Sequence, residues 1–348
     1  MDLYVESVKR KLFVYPDSSV DPTGFIAILE DKMLKNGWDK QSNIEEADDF
    51  LVLEHPRLRT PEMTYLRNTK ARKILLRFEP KVVNPHLYQR RTEKLYDIIL
   101  NVGSVNFVHG KIFVIRWPYS RNDNPATPNL HKPIDIVKEV TKSLSDLKVR
   151  RKITTSIVAS NKVAWAGKSN YRLRRQIILS SGNQGIMPFG GGWGMSRVQR
   201  LITNLRIYAF FLSQGHFANP FRILDNFFFS PRKKISAPIK KSDITEKSDF
   251  QLVIENSDTY VTEKLLDCMI SGAIPVYKGP ELSAFRVPSS CYVKFPNNPT
   301  HLRSIIASFD EYVISNLRTN IFQFLTSAEG YSRWKPENVA KDILTVLK

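Results

Sequence analysis

Short apolar runs recur along this chain, each followed by a longer stretch whose apolar residues fall at helical spacing, and this rhythm constrains the fold more than any other feature. A strand buried on both faces reads as a continuous apolar run, and a parallel neighbour needs a crossover helix before it. Lys11-Leu12-Phe13-Val14-Tyr15 reads as such a strand, and 24–35 follows with Phe25, Ile28, Leu29 and Met33 on one helical face. Further strands are expected over 50–53, 74–78, 98–100 and 112–115. The second half repeats the pattern, with strands over 153–158, 250–254 and 274–277 and helices over 169–179, 196–212 and 261–271. The fold class is therefore α/β with parallel sheets.

The stretch 118–133, rich in Pro, Asn, Asp and Ser, reads as a loop leading into a helix over 134–147. The basic run 148–152 follows, so the chain is expected to divide into domains 1–148 and 149–348. A length of 348 residues suits two cores better than one. The basic stretch 230–249 reads as a surface loop.

Composition narrows the partners. With 42% hydrophobic residues the chain is no disordered polymer, and 52 Lys and Arg against 34 Asp and Glu give a formal charge of +18. Such a surplus suits anions: nucleic acid, acidic lipid or phosphorylated small molecules. The two cysteines, Cys268 and Cys291, sit in apolar surroundings and read as buried thiols. The start lacks the pattern of a signal peptide, and no run of ~18 apolar residues is present to span a bilayer. A cytoplasmic protein is expected, resting at most peripherally on an acidic membrane.

The segment 250–280 carries the chemistry. It reads strand, polar turn, helix, glycine stop, strand, with the turn at the carboxyl end of a strand, where open α/β sheets take ligands. A helix start at Thr259 or Val261 puts Thr262, Glu263 and Lys264 in the first turn, while Leu265, Leu266, Met269 and Ile270 face the sheet. Helix N-termini attract phosphate, and a lysine there opposes the helix dipole unless an anion accepts both. Glu263 suits a sugar diol, because one carboxylate accepts two hydroxyl hydrogen bonds. An ordinary solvated helix start with a capping threonine fits the same residues.

This segment resembles the signature of the α-1,3-fucosyltransferase family: Phe-x-Leu-x-Phe-Glu-Asn-Ser, then Tyr-Val-Thr-Glu-Lys, then Gly-x-x-Pro-Val-x-x-Gly. Here these are 250–257, with Ile254 in place of the usual Phe, then 260–264 and 272–279. Ser160 and Asn161, after a strand, resemble the Ser-Asn that opens the family's donor domain. The basic run Tyr171-Arg172-Leu173-Arg174-Arg175 resembles its arginine-bearing helix. The resemblance implies a GT-B architecture, two Rossmann-like domains facing across a cleft, with the acceptor domain first. It implies that one arginine, Arg174 with Arg172 and Arg175 as competitors, holds the donor pyrophosphate together with Lys264. Glu255, Asn256, Tyr260, Thr262 and Glu263 would complete the donor site. Leu75-Leu76-Arg77-Phe78-Glu79-Pro80 resembles the strand that ends in the catalytic base, which makes Glu79 the candidate; by position alone Glu54 and Glu62 are equally eligible.

The activity implied is inverting transfer of fucose from GDP-fucose to a hydroxyl of an oligosaccharide or glycoconjugate, with no essential metal and no nucleic-acid partner. The rivals are the same fold with UDP-xylose or GDP-mannose, a basic nucleic-acid-binding protein, and an inactive lectin-like relative. The lack of an anchor and of a disulfide framework leans toward a bacterial or viral enzyme over a Golgi one. Other signals weigh less. The glycine-rich run 189–195 lacks the Lys-Ser/Thr of a triphosphate site, and reads as a loop, either plain or lining the cleft. The histidines, His55, His86, His109, His131, His216 and His301, have no metal-ligand spacing, and Asp48-Asp49 lies at the wrong end of a strand. Phe210, Phe211, Phe227, Phe228 and Phe229 read as core.

Overall fold

A computed structural model describes residues 9–16, 24–53, 55–56, 60–103, 111–119, 151–213, 221, 223, 235 and 244–348. The expected loop 118–133, save its first two residues, and the helix over 134–147 lie outside these residues, as do Glu54, His109, His131, His216, Phe227, Phe228, Phe229 and most of 230–249.

The described strands form two sheets, and every pairing in both is parallel. The first contains β1 (Arg10–Tyr15), β2 (Trp38–Lys40), β3 (Asp49–Val52), β4 (Arg72–Arg77), β5 (Ile98–Val102) and β6 (Ile112–Ile115), in the order β2-β1-β3-β4-β5-β6. The second contains β7 (Ile153–Val158), β8 (Ile186–Phe189), β9 (Ser248–Ile254), β10 (Ile274–Lys278) and β11 (Val293–Lys294), in the order β11-β10-β9-β7-β8. Counted from its own first strand, the second sheet repeats the order of the first. Each therefore reverses direction between its first and third strands, and in open α/β sheets that switch point is where ligands gather, beyond the strands' carboxyl ends.

Alternate side chains of one strand serve opposite faces. Leu51, Ile74, Leu76 and Leu100 pack with Phe25, Ile26 and Leu29 of helix Phe25–Leu34, whereas Phe50, Val52, Leu75 and Ile99 pack with Met63 and Leu66 of helix Pro61–Asn68. Thr60 caps that second helix, accepting from the Met63 N–H at 3.3 Å. The final helix, Pro336–Leu347, inserts Val339, Ala340, Ile343, Leu344 and Leu347 into the core of the first sheet. Arg72 donates to the Leu347 carbonyl at 2.6 Å, and Arg116 pairs with Asp342 at 3.0 Å.

Three strands escape the periodicity, among them β11, which is only two residues long. β2 is three residues long with only Trp38 buried, and β8 carries Pro188, which is tolerated because β8 is an edge strand. At the amino end of β3, Asp49 is fully buried and accepts from Arg10, Arg72 and Trp38. Burial alone would raise its pKa; the hydrogen bonds outweigh burial and hold the carboxyl below its ordinary value. This charge cluster lies at the opposite end of the sheet from the switch point. Cys268 and Cys291 are both buried and free.

Candidate active site

A pocket of about 230 Å³ lies beyond the carboxyl ends of β7 and β9, at the switch point of the second sheet. Val158, Ala159 and Ser160 form one side and Ile254 and Asn256 the other. Tyr171 and Arg174 reach it from helix Tyr171–Gln184, and Tyr260, Thr262, Glu263 and Lys264 from the turn after β9. Glu79 and Trp117 belong to the first half of the chain and close the pocket from the other side.

The turn is organised by Glu255, whose side chain is fully buried. Its carboxylate accepts from the Thr262 N–H and the Thr262 hydroxyl, both at 2.9 Å. Those bonds hold Thr262 extended, so the helix spans Glu263–Ile270 with Thr262 as its cap. It therefore starts later than Thr259 or Val261: the anchored carboxylate keeps residues 260–262 out of the helix, and Tyr260 and Val261 are buried beside it. Leu265, Leu266, Met269 and Ile270 do face the core, joined by Cys268.

Lys264, about one quarter exposed, donates to Thr262 Oγ1 at 2.8 Å and to Glu255 Oε2 at 3.4 Å. The charge that opposes the helix dipole is thus met from within the chain. This corrects the sequence argument: the lysine is balanced by Glu255, so its position alone does not demand a bound phosphate.

The three arginines part company. Arg174 is buried, its guanidinium donating to the Ile254 carbonyl and lying over the Tyr171 ring at 5.2 Å, and burial lowers its pKa. Arg172 and Arg175, three residues apart on another face of the helix, line a second, larger cavity of about 1070 Å³ between the two sheets. Asn256 accepts from the Asn170 N–H through its backbone carbonyl at 3.0 Å, which ties the turn to the start of the arginine helix. Ser160 lines the pocket, whereas Asn161 does not; its N–H donates to the Gly191 carbonyl at 3.1 Å.

Tyr260 joins the two halves. Its hydroxyl donates to the Phe78 carbonyl at the end of β4, its ring meets Trp117 edge-on at 5.8 Å, and it lines both cavities. Glu79 follows immediately. Burial raises its pKa, the Glu263 carboxylate adds to the rise, and Lys162 and Lys264 oppose it. Tyr88 donates to the Glu79 backbone carbonyl at 3.0 Å. Lys162 and Tyr171 are pocket residues that the sequence reading did not single out. Their only signal is adjacency, Lys162 to Ser160-Asn161 and Tyr171 to the arginines.

The glycine loop is a buttress and does not line the pocket. Trp193 is buried and donates through Nε1 to the Ala159 carbonyl at 2.8 Å, while Arg200 donates to the Gly192 carbonyl at 2.7 Å. Gly190 has φ 146°, and a Cβ there would collide with the Ala159 carbonyl, so only glycine lets the loop lie against β7. Among the described residues no three His, Cys, Asp or Glu side chains cluster to hold a metal ion.

No family model matches the sequence, and no curated protein does. Solved structures do. A crystal structure of an α1,3-fucosyltransferase aligns over 98% of this chain and 91% of its own, with a TM-score of 0.53 and 15% identity. An α1,3-fucosyltransferase structure with GDP-fucose aligns over 100% and 93%, with a TM-score of 0.52 and 14% identity. The fold is GT-B. Anabaena HepE in complex with UDP and glucose aligns over 97% and 99%, with a TM-score of 0.52 at 10% identity. At these identities the likeness is one of architecture, and it is the architecture that the 250–280 motif implies. No described helix of this GT-B chain is long and apolar enough to cross a membrane.

Proposed function

We propose that this chain is an inverting glycosyltransferase that takes a sugar from a nucleoside diphosphate donor, GDP-fucose first among candidates, and adds it to a hydroxyl of a glycan. One observation carries the reading: Glu79 from the first half and Arg174, Glu263 and Lys264 from the second line a single pocket at a sheet switch point. A carboxyl with a raised pKa is a stronger base once ionised, which suits Glu79 to take the proton from the acceptor hydroxyl. The oxygen then bonds to the anomeric carbon as the bond from that carbon to the diphosphate breaks, and GDP departs. Arg174 and Lys264, with the N-terminus of helix Glu263–Ile270, would offset the charge that develops on the diphosphate. In this scheme no metal is essential.

Glu263 and Asn256 would accept and donate to ribose or sugar hydroxyls, Tyr260 would wall the donor, and Glu255 would hold the turn in shape. The acceptor would approach from the domain that precedes residue 149. The fold likeness to an α1,3-fucosyltransferase crystallised with GDP-fucose supports a guanine donor. The likeness to HepE with UDP and glucose keeps a UDP-sugar as the second reading.

The test is turnover of a panel of GDP- and UDP-sugars by the full chain. GDP-fucose is expected to be consumed fastest, and Arg174→Ala and Lys264→Ala are each expected to lower turnover by about a hundredfold. Near wild-type rates in both variants would overturn the assignment.

A further inference from the structure

Helix Arg197–Ser213 is apolar on two sides: Leu201, Tyr208 and Phe211 pack in a cluster with Trp165, and a second row of apolar residues faces outward. It buries Arg200 and Asn204 and exposes Val198, Ile202, Leu205 and Leu212. With 3.6 residues per turn, Val198, Ile202, Leu205 and Leu212, together with exposed Ala209, fall on one stripe along the helix. Val198 is 62% exposed, Ile202 and Leu205 46% and Leu212 40%, so the stripe faces solvent along about four turns. A contiguous apolar stripe on a surface marks a contact. Arg197 and Arg206 on the same helix are exposed as well.

Charge identifies the occupant. Residues 147–224 contain no Asp or Glu and thirteen Lys or Arg, so the sequence around the stripe carries one sign of charge. A two-fold contact between copies sets the same patch against itself, arginine to arginine, and the helix carries no acid of its own to pair with them. A bilayer with anionic headgroups meets both demands: its acyl boundary accepts the stripe and its headgroups accept the cations. We infer that helix Arg197–Ser213 docks the protein on an anionic lipid surface.

The helix also sits beside the larger cavity. Phe211 packs on Trp165 at 5.3 Å and on His86 at 6.3 Å, and the Trp165 N–H donates to the carbonyl of Val82, which lines that cavity next to Ala164. Docking through the stripe keeps the space between the sheets close to the membrane, so a glycan carried on a lipid would lie within reach. The docking itself does not depend on the enzymatic reading.

The experiment is co-sedimentation of the full chain with vesicles of phosphatidylcholine alone and with one-third phosphatidylglycerol. Binding to the anionic vesicles is expected, weakened by added salt. Ile202→Asp combined with Leu205→Asp is expected to weaken it at least tenfold with the fold retained, because both side chains are already nearly half exposed. Arg197→Gln combined with Arg206→Gln provides a second, milder variant, expected to weaken binding several-fold and to flatten its salt dependence. Failure to bind anionic vesicles would overturn the inference, as would wild-type binding by both double variants. A lipid-free dimer in sedimentation velocity that the aspartate variant dissolves would assign the stripe to a second copy instead.

Discussion

Glu79 and Glu263 line one pocket, and the repulsion between them is part of what raises the pKa of Glu79. If Glu79 is the base, the acid limb of the kcat/KM profile reports its ionisation and lies above the ordinary carboxylate range. Glu263→Gln removes the neighbouring negative charge, so the limb is expected to move to lower pH. Lys264→Ala removes a positive charge that favours ionised Glu79, so there the limb is expected to move up. Profiles of both variants check this, and limbs that stay with wild type would exclude Glu79. At this scale the sequence marks residues better than their duties. Glu255 reads as a ligand of the donor but is bonded to Thr262 beneath the turn, and Arg174 differs from Arg172 only by the face of the helix it occupies. Tyr260 finds its partner, the Phe78 carbonyl, on the far half of the chain, which no local pattern can announce.

The elements around the site have different tolerances. The glycine loop after β8 supports the Ala159 wall of the pocket through Trp193 and the close approach of Gly190. Gly190→Ala sets a Cβ against a backbone carbonyl that cannot yield and also requires a left-handed φ of 146°. A loss of about 2–4 kcal/mol of stability is expected, read as a lowered denaturation midpoint. An unchanged midpoint would mean that the loop moves freely. Strands built around unbroken apolar runs, such as Phe50-Leu51-Val52 in β3, are legible in the sequence because both of their faces are covered. β2, β8 and β11 are not, since an edge strand needs little apolar surface and can carry a proline. The start of helix Glu263–Ile270 is illegible for a different reason: Thr259 is as good a cap as Thr262 by residue type, and only the buried Glu255 selects between them.

Across the whole molecule, the chain crosses between halves more than once. Tyr260 and Trp117 bridge them at the cleft, Tyr119 donates to Asp267 at 2.8 Å, and the last helix returns to the core of the first sheet. Ile343, fully buried there, is far along the chain from the strands it supports. Ile343→Ala is expected to cost about 3 kcal/mol, seen as a lower midpoint in chemical unfolding; a change under about 1 kcal/mol would mean that the helix contributes little to that core. The repeated strand order was legible only as rhythm, because sequence spacing gives the succession of strands and not which neighbours pair. The central claim, that the switch point of the second sheet holds a nucleoside diphosphate, is tested most directly by titration calorimetry of GDP into the full chain without added metal. One GDP per chain is expected, with affinity lowered at least tenfold by Arg174→Ala; no binding, or binding indifferent to that change, would contradict it.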